Sequence, residues 1–135
     1  MTATATALLG LVAWTAIMTF VLVIARMRAG ASGKALNSFS PAGTDLDALG
    51  QRVTRAHANC QENLAVLVAP MLYAVASGHA DITNGLAMFV LYARVVQSLV
   101  HMASGAVPAV LVRATAFGAQ MTITLIFCWQ LAHAA

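Results

Sequence analysis

The feature that most constrains this chain is an uncharged run at its start. No charged side chain occurs from Met1 to Ala25, and the apolar segment within it reads LLGLVAWTAIMTFVLVIA. With its flanks, this run reaches the roughly 20 residues that a helix needs to cross a bilayer. The opening MTATATA has no positive residue, and no small-residue cleavage pattern follows the apolar core, so a retained span is favoured over a cleaved signal peptide.

The composition extends this interpretation to the whole chain. Hydrophobic residues make up 61% and charged residues only 8% of the 135 residues, which is too little charge to cover a soluble globule of this size. Basic residues outnumber acidic ones by seven to four, but they are scattered between apolar runs, so no nucleic-acid partner is expected. Cys60 and Cys128 have no metal or redox spacing. The chain is predicted to be an integral membrane protein.

Apolar runs separated by turn signals predict four helices, at about residues 3–27, 45–77, 82–103 and 107–132. The fold class is therefore all-α, a membrane four-helix bundle in a single domain over residues 1–135. The stretch RMRAGASGKALNSFSPAGTD is interpreted as an exposed first loop.

Helix boundaries follow from residues that favour helix ends. Thr44 and Asp47 resemble a capping box that starts the second helix near Asp45, and Gly78 can end that helix in a left-handed conformation. Asp81 is predicted to cap the third helix. Gly105 can end the third helix, and Pro108 suits the first turn of the fourth.

The basic residues predict an orientation. They cluster around the first loop and just after the third: Arg26, Arg28, Lys34, Arg52, Arg55 and Arg113. The second loop, SGHADITN, has no Lys or Arg, and neither do the chain termini. By the positive-inside bias, loops one and three are predicted to be cytoplasmic and both termini outside.

Polar residues are concentrated in one stretch of the second helix, RVTRAHANCQEN. Steps of three and four place Arg55, Asn59 and Glu62 on one face, with Arg52 one turn earlier, and this stripe is predicted to point inward. Glu62 lies eleven residues beyond Gln51, about 16 Å deeper in the membrane. A carboxylate at that depth must be paired, hydrogen-bonded, protonated or in a wet cavity.

Further arginines accompany this stripe in the same half of the membrane. Arg94 lies near the end of the third helix and Arg113 near the start of the fourth. Together with the stripe they predict a basic cavity for a small anionic ligand that also has an amino group, which Glu62 would bind. The alternative is an internal ion pair between Glu62 and one arginine, holding the bundle in register.

Histidine and amide side chains add to this region. Gln97, Ser98 and His101 follow Arg94 on one face of the third helix, where ligand contact and interhelical hydrogen bonding are equally good interpretations. His57 is interpreted as an interfacial histidine. Because His79 and His133 fall at the opposite side of the membrane, no metal site is expected.

The motif R-x-x-R-A-H-x-N-x-x-E-N, which opens the second helix, resembles the MAPEG family of membrane proteins in eicosanoid and glutathione metabolism. Arg94 and the segment PAVLVRATAFG support the resemblance. It implies a homotrimer with glutathione, a co-substrate, held between subunits near the cytoplasmic face. The resemblance implies that Arg55, Asn59 and Glu62 bind the tripeptide and that Arg94 and Arg113 complete the pocket. The further candidates for the binding set are Arg52, Gln97 and His101.

The resemblance also implies chemistry. Arg113 would be the catalytic residue, because a nearby guanidinium stabilises the thiolate form of the bound thiol. The thiolate would attack a lipophilic electrophile or reduce a lipid hydroperoxide that arrives from the bilayer. The expected function is thus that of a glutathione transferase or peroxidase.

The sequence departs from the family pattern at several positions. Enzymes of the family often place serine and then tyrosine after the arginine of the fourth helix, where this chain has Ala114 and Phe117. Thr115 or His101 could substitute. Val66 stands where the family often has proline, and Pro70 follows one turn later.

Two other classes of function remain open. The departures at the fourth helix motivate a non-catalytic lipid-binding or scaffold member of the same family. A small cation exporter is the third hypothesis, but such chains resemble proteins with a carboxylate in the first helix, and the first span here has none.

Overall fold

The computed structural model describes residues 1–134. Over that range the chain forms four helices and no strand. Their bounds are α1 Ala3–Ala31, α2 Ala48–Ala76, α3 Ala80–Ala103 and α4 Val107–Ala134. The predicted all-α, four-helix fold class is confirmed, and α1 continues four residues beyond the predicted end at residue 27.

The start of α2 differs from the predicted capping box. The side chain of Asp47 accepts a hydrogen bond from the backbone N–H of Gly50 at 2.7 Å, so Asp47 caps the helix and Ala48 is its first residue. Thr44 instead donates its hydroxyl to Ser40 Oγ at 3.3 Å. The prediction that α2 starts near Asp45 was wrong because two candidate caps stood three residues apart, and the later one is used.

The other predicted helix ends have mixed outcomes. Gly78 has φ of +81° and follows Ser77, the C-terminal cap of α2, as predicted. The prediction that Asp81 caps α3 was wrong: His79 occupies the cap position without a side-chain hydrogen bond, and Asp81 lies in the first turn. An acidic residue there still interacts favourably with the helix dipole. Ser104 follows α3, and Pro108 lies in the first turn of α4 as predicted.

The helices form a bundle in which α2 and α3 are the central pair. Both α1 and α4 pack on this pair, and within the described residues they do not contact each other. The principal core contains buried apolar residues from all four helices: Ala7, Leu11, Leu67, Met71, Ala87, Val90, Ile123 and Phe127. Gly10 lets α1 approach α3 closely, since a Cβ there would lie 2.6 Å from a methyl group of Leu91.

The outer surface of the bundle is apolar. Helices α1, α3 and α4 are each long and apolar enough to cross a membrane. Large hydrophobic side chains such as Phe20, Leu125 and Trp129 are exposed on them. Because water would not favour such a surface, these helices identify an integral membrane protein. Helix α2 has the same length as α1 but carries the polar stretch, so it does not meet the same hydropathy criterion.

The two ends of the bundle differ in their side chains. The threonine end, where α1 and α3 begin, contains Thr4, Thr83 and Asn84. The arginine-rich end, where α1 ends and α2 begins, holds the six basic residues named above, Arg26, Arg28, Lys34, Arg52, Arg55 and Arg113.

The first loop is folded rather than simply exposed. Gly43 has φ of +68° and packs against the side chain of Thr54, where a Cβ would meet Oγ1 at 2.5 Å. Lys34 and Asp45 form an ion pair at 2.9 Å. The pKa of Asp45 lies below its ordinary 3.8 because the carboxylate accepts hydrogen bonds from Lys34 and from the backbone N–H of Ser40. The loop is therefore fixed against the start of α2.

Candidate functional site

Arg94 lies at the centre of a buried polar network between α2 and α3. Its side chain is only 2% exposed. It donates from Nη1 to Asn59 Oδ1 at 2.6 Å, which links the middle of α3 to the polar stretch of α2. An intramembrane arginine is costly unless it is hydrogen-bonded or meets an anion, so Arg94 is a candidate for ligand binding.

Two glutamines continue the network into α4. Gln97 donates from Nε2 to Asn59 Oδ1 at 3.2 Å, and Gln120 donates from Nε2 to Gln97 Oε1 at 2.9 Å. Because Oδ1 of Asn59 accepts from both Arg94 and Gln97, its carbonyl faces into the bundle. The NH2 group of Asn59 is then the part that remains for a ligand, and it can only donate.

His101 lies at the end of α3, where the charges of arginines from two other helices reach it. Arg113 of α4 and Arg55 of α2 both lie close enough to its ring to interact with it electrostatically. Arg52 approaches the same place, since its Nε donates to the carbonyl oxygen of Met102 at 2.7 Å. Three helices thus bring cationic side chains together at the arginine-rich end.

The orientation predicted for the α2 stripe was wrong in part. Only Asn59 points into the bundle; Arg55 and Glu62 are exposed on the surface of the chain. The buried face of α2 is centred on Ala56, Cys60 and the residues that follow them at helical spacing. Arg55 and Glu62 therefore lie on the flank of the network, where they are open to a ligand or to another subunit.

The alternative of an internal ion pair is not realised among residues 1–134. The ion pair found there joins Lys34 to Asp45, and Glu62 has no basic partner within 4.0 Å. Glu62 consequently does not neutralise Arg94, and the arginines of the network keep an uncompensated positive charge.

The network leaves polar atoms without partners. The atoms concerned are Arg94 Nη2, Arg113 Nε and Gln120 Oε1, which are buried and make no hydrogen bond within residues 1–134. A buried polar group without a partner costs about 1–3 kcal/mol, more when it is charged. Two of these three atoms are cationic donors, so an anionic ligand or water would offset much of that cost.

A second set of hydrogen bonds lies beside Arg94. Ser98 donates to the backbone carbonyl of Arg94 at 2.9 Å and accepts from Trp14 Nε1 at 3.2 Å. Cys60 Sγ lies 3.2 Å from the same Ser98 hydroxyl and is buried. This set ties α1, α2 and α3 together, so the interhelical interpretation of Ser98 is the one realised.

His57 belongs to the contact between α1 and α2. Its Nε2 lies 3.2 Å from Thr19 Oγ1 and 3.4 Å from Gln61 Nε2. His57 therefore lies on a different face of α2 from Arg55, Asn59 and Glu62. Across residues 1–134 no group of three potential metal ligands forms.

The two proposed substitutes for the missing hydroxyl occupy different places. Thr115 is exposed on the outer side of α4, in an apolar groove with Phe89 and Tyr92. Side chains two positions apart on a helix point to nearly opposite sides. Thr115 therefore faces away from a ligand bound at Arg113. His101 lies near Arg113. Of the two, only His101 remains a candidate.

Gln120 is a network residue that the sequence analysis missed. It is fully buried, and with Thr124 and Leu131 it defines the inward face of α4. A polar side chain within the apolar run FGAQMTITLIF was the available signal, because intramembrane amides usually hydrogen-bond between helices.

These features define a class: a helical membrane protein that crosses the bilayer several times and has a basic, hydrogen-bonding site near one end. The model of the MAPEG family matches residues 4–133, and the chain belongs to the MAPEG family. Membership identifies a membrane protein of eicosanoid and glutathione metabolism and confirms the predicted resemblance. No curated protein and no solved structure matches the chain.

Proposed function

We propose that this protein binds glutathione, or a related low-molecular-weight thiol, at its arginine-rich end and activates the thiol for reaction with lipophilic substrates. The observation that carries the proposal is an excess of cationic side chains: Arg94 is buried with no carboxylate within 4.0 Å among residues 1–134, and the charges of Arg55 and Arg113 both reach His101 on the same helix. Family membership supports the choice of a glutathione-type ligand.

The proposed ligand matches the groups that are available. Glutathione has two carboxylates, an amino group and a thiol. Unpartnered cationic donors favour carboxylates, the NH2 group of Asn59 favours a carbonyl or carboxylate oxygen, and the exposed carboxylate of Glu62 favours the amine. The proposed binding set is Arg52, Arg55, Asn59, Glu62, Arg94, Gln97 and His101.

Arg113 is the proposed catalytic residue. Its guanidinium would hold the sulfur as a thiolate, the nucleophilic form, after the thiol proton has left to water. In a transfer reaction, the sulfur then forms a bond to the electrophilic carbon and the leaving group departs with its electron pair. In a peroxidase reaction, sulfur takes the terminal oxygen of the hydroperoxide, leaving an alcohol, and a second thiol reduces the sulfenic acid to a disulfide and water.

Exposure of the α2 stripe supports a homotrimer as part of the proposal. Arg55 and Glu62 lie on a surface that no helix of this chain covers. A neighbouring subunit placed there would enclose a ligand that one subunit binds only from the side. Lipophilic substrates would reach the sulfur through the bilayer, which surrounds the exposed apolar helices.

Isothermal titration of glutathione into detergent-purified protein tests the proposal. Saturable binding is expected for the wild type, with affinity reduced about tenfold or more in Arg55→Ala and Glu62→Gln, because each removes a charge-assisted contact. Arg28→Ala is the matched control, since it removes an arginine from the same end of the bundle but from an exposed position on α1. No binding by the folded wild type would overturn the proposal.

The second candidate is a non-catalytic lipid-binding or scaffold member of the family. It is favoured by Ala114 and Phe117, which provide no hydroxyl, and by the outward position of Thr115. Glutathione binding without any thiol-dependent turnover of lipophilic electrophiles or hydroperoxides would support this candidate over the enzyme.

A further inference from the structure

Arg26 has a charge that no carboxylate within residues 1–134 neutralises. It lies one residue after the uncharged run of α1, at the level where the helix leaves the apolar part of the membrane. Its Nε is buried without a hydrogen-bond partner. The nearby loop carboxylate of Asp45 already forms an ion pair with Lys34, and Arg26 has no carboxylate within 4.0 Å among the described residues.

Arg26 lines a cleft that is separate from the thiol site. The cleft lies between α1 and the first loop, has a volume of about 360 Å³, and is lined by Val23, Arg26, Met27, Leu36, Asn37 and Phe39. The ring of Phe39 lies 5.8 Å from the Arg26 guanidinium and 5.5 Å from the Lys34 ammonium. None of the residues that line it belongs to α2, α3 or α4.

The walls of the cleft are apolar and open outward. Met27 is 64% exposed and Leu36 is 74% exposed, and Val23 and Phe20 continue an exposed apolar strip along α1. A polar ligand alone would leave these walls unused. A molecule with an anionic group joined to a hydrocarbon chain would satisfy Arg26 and cover the walls at the same time.

We propose that this cleft binds an anionic phospholipid, with the phosphate at Arg26 and an acyl chain along Val23 and Phe20. Because Asp45 neutralises Lys34, the cleft has one uncompensated positive charge, that of Arg26. The single negative charge of a phosphatidylglycerol matches it. A phosphatidylcholine brings an additional cation and matches it less well.

The test is lipid retention by the full chain. Delipidated protein in neutral detergent is mixed with dioleoyl phosphatidylglycerol or dioleoyl phosphatidylcholine, and bound lipid is counted by native mass spectrometry. The wild type is expected to prefer phosphatidylglycerol by about fivefold, the ratio typical of one basic side chain at an anionic membrane surface. Arg26→Gln is expected to abolish that preference.

Arg28→Gln is the matched control. It removes the same charge two residues later, from a side chain that points away from the cleft and lines a different depression with Lys34 and Asp45. It is expected to keep the preference. Equal retention of the two lipids by the wild type, or equal loss in Arg26→Gln and Arg28→Gln, would overturn the proposal in favour of unspecific surface charge.

A loop variant changes the charge at the rim of the cleft and keeps the Arg26 side chain. Leu36→Asp places a carboxylate at the rim, where it would pair with Arg26 and repel a phosphate, so retention of phosphatidylglycerol is expected to fall to that of phosphatidylcholine. Ala35→Asp is its control, because Ala35 is exposed and does not line the cleft. Unchanged retention in Leu36→Asp would contradict the assigned site.

Discussion

The two ends of the bundle use buried polar groups in different ways. At the threonine end, Thr4 Oγ1 lies 2.7 Å from Thr83 Oγ1 and donates to Asn84 Oδ1 at 2.9 Å. The backbone N–H of Thr4 donates to the same Asn84 oxygen at 3.0 Å. Thr4 and Thr83 are fully buried, and neither has a polar side-chain atom without a partner.

From the middle of the bundle to the arginine-rich end, buried polar atoms remain without a hydrogen-bond partner among residues 1–134. Arg94 and Arg113 each keep an unused buried nitrogen, and Gln120 keeps an unused oxygen. The polar groups at the threonine end hold helices together, whereas the unpartnered groups are those that the proposed ligand would bind. Loss of a group at the threonine end should cost stability, whereas loss at the arginine-rich end should cost binding or turnover.

The largest effect is expected from Arg113→Ala. Thiol-dependent turnover should fall about 100-fold, as for loss of a group that stabilises developing negative charge, while the thermal midpoint changes little because Arg113 is only half-buried. Turnover of a lipophilic electrophile and the thiolate absorbance of bound glutathione would be measured, with Thr115→Ala as the control. Wild-type turnover in Arg113→Ala would remove Arg113 from the mechanism.

A substitution at the threonine end should lower stability and leave thiol binding unchanged. Thr4→Val keeps the shape of the side chain but removes its hydrogen bonds to Thr83 and Asn84, at a cost of about 2 kcal/mol in the free energy of unfolding. Thermal unfolding in detergent measures this, and glutathione affinity should be unchanged. Thr6→Val is the control, since Thr6 bonds only to the exposed Thr2 carbonyl. An equal loss in both variants would contradict the special role of the threonine end.

Gln120→Met should affect thiol binding more than stability, the reverse of Thr4→Val. The change removes the hydrogen bond that fixes Gln97, so Asn59 loses part of its orientation and the KM for the thiol should rise about fivefold, the effect of one hydrogen bond. It also removes the unpartnered Oε1 of Gln120, which partly offsets the lost hydrogen bond, so the free energy of unfolding should fall by about 1 kcal/mol at most. Thr124→Val, which breaks a bond within α4 only, is the control. A large loss of stability with unchanged KM would show that Gln120 is structural.

The smallest effect is expected from loss of the ion pair between Lys34 and Asp45 in the first loop. Because the pKa of Asp45 is lower in the folded chain than its ordinary 3.8, the pair stabilises the loop fully above that value. Its contribution is lost as pH falls through the lowered pKa. Limited proteolysis with an acid-active protease should cut the loop faster at low pH. Lys34→Gln should remove the part of this pH dependence that is due to Asp45. The same cleavage rates at each pH in Lys34→Gln and in the wild type would contradict the role of the ion pair.

The sequence predicted the number and type of the elements because long apolar runs leave few alternatives in a bilayer. The start of α2 was missed because Thr44 and Asp47 are both good caps, and only the fold of the loop, fixed by Gly43 against Thr54, decides between them. The same loop contacts explain why a stretch rich in Gly and Ser is not simply exposed.

The residues of the candidate site could be named from the sequence, but their geometry could be predicted only in part. Helical spacing shows that Arg55, Asn59 and Glu62 share a face, but periodicity does not show which way that face points in the bundle. The structure turns Asn59 toward Arg94 and leaves the two charged residues outside. Gln120 was missed because no other amide side chain at helical spacing on α4 marks the face on which it lies.

The polarity of α2 has a consequence for biosynthesis. A charged residue near the middle of a helix opposes its insertion by about 2.5–3.5 kcal/mol, so α2 is a poor substrate for the translocation channel when it arrives alone. Helix α1 emerges first, and α2 packs along it. The first two helices should therefore leave the channel as a hairpin, and the yield of inserted protein should depend on α1 remaining nearby until α2 is complete.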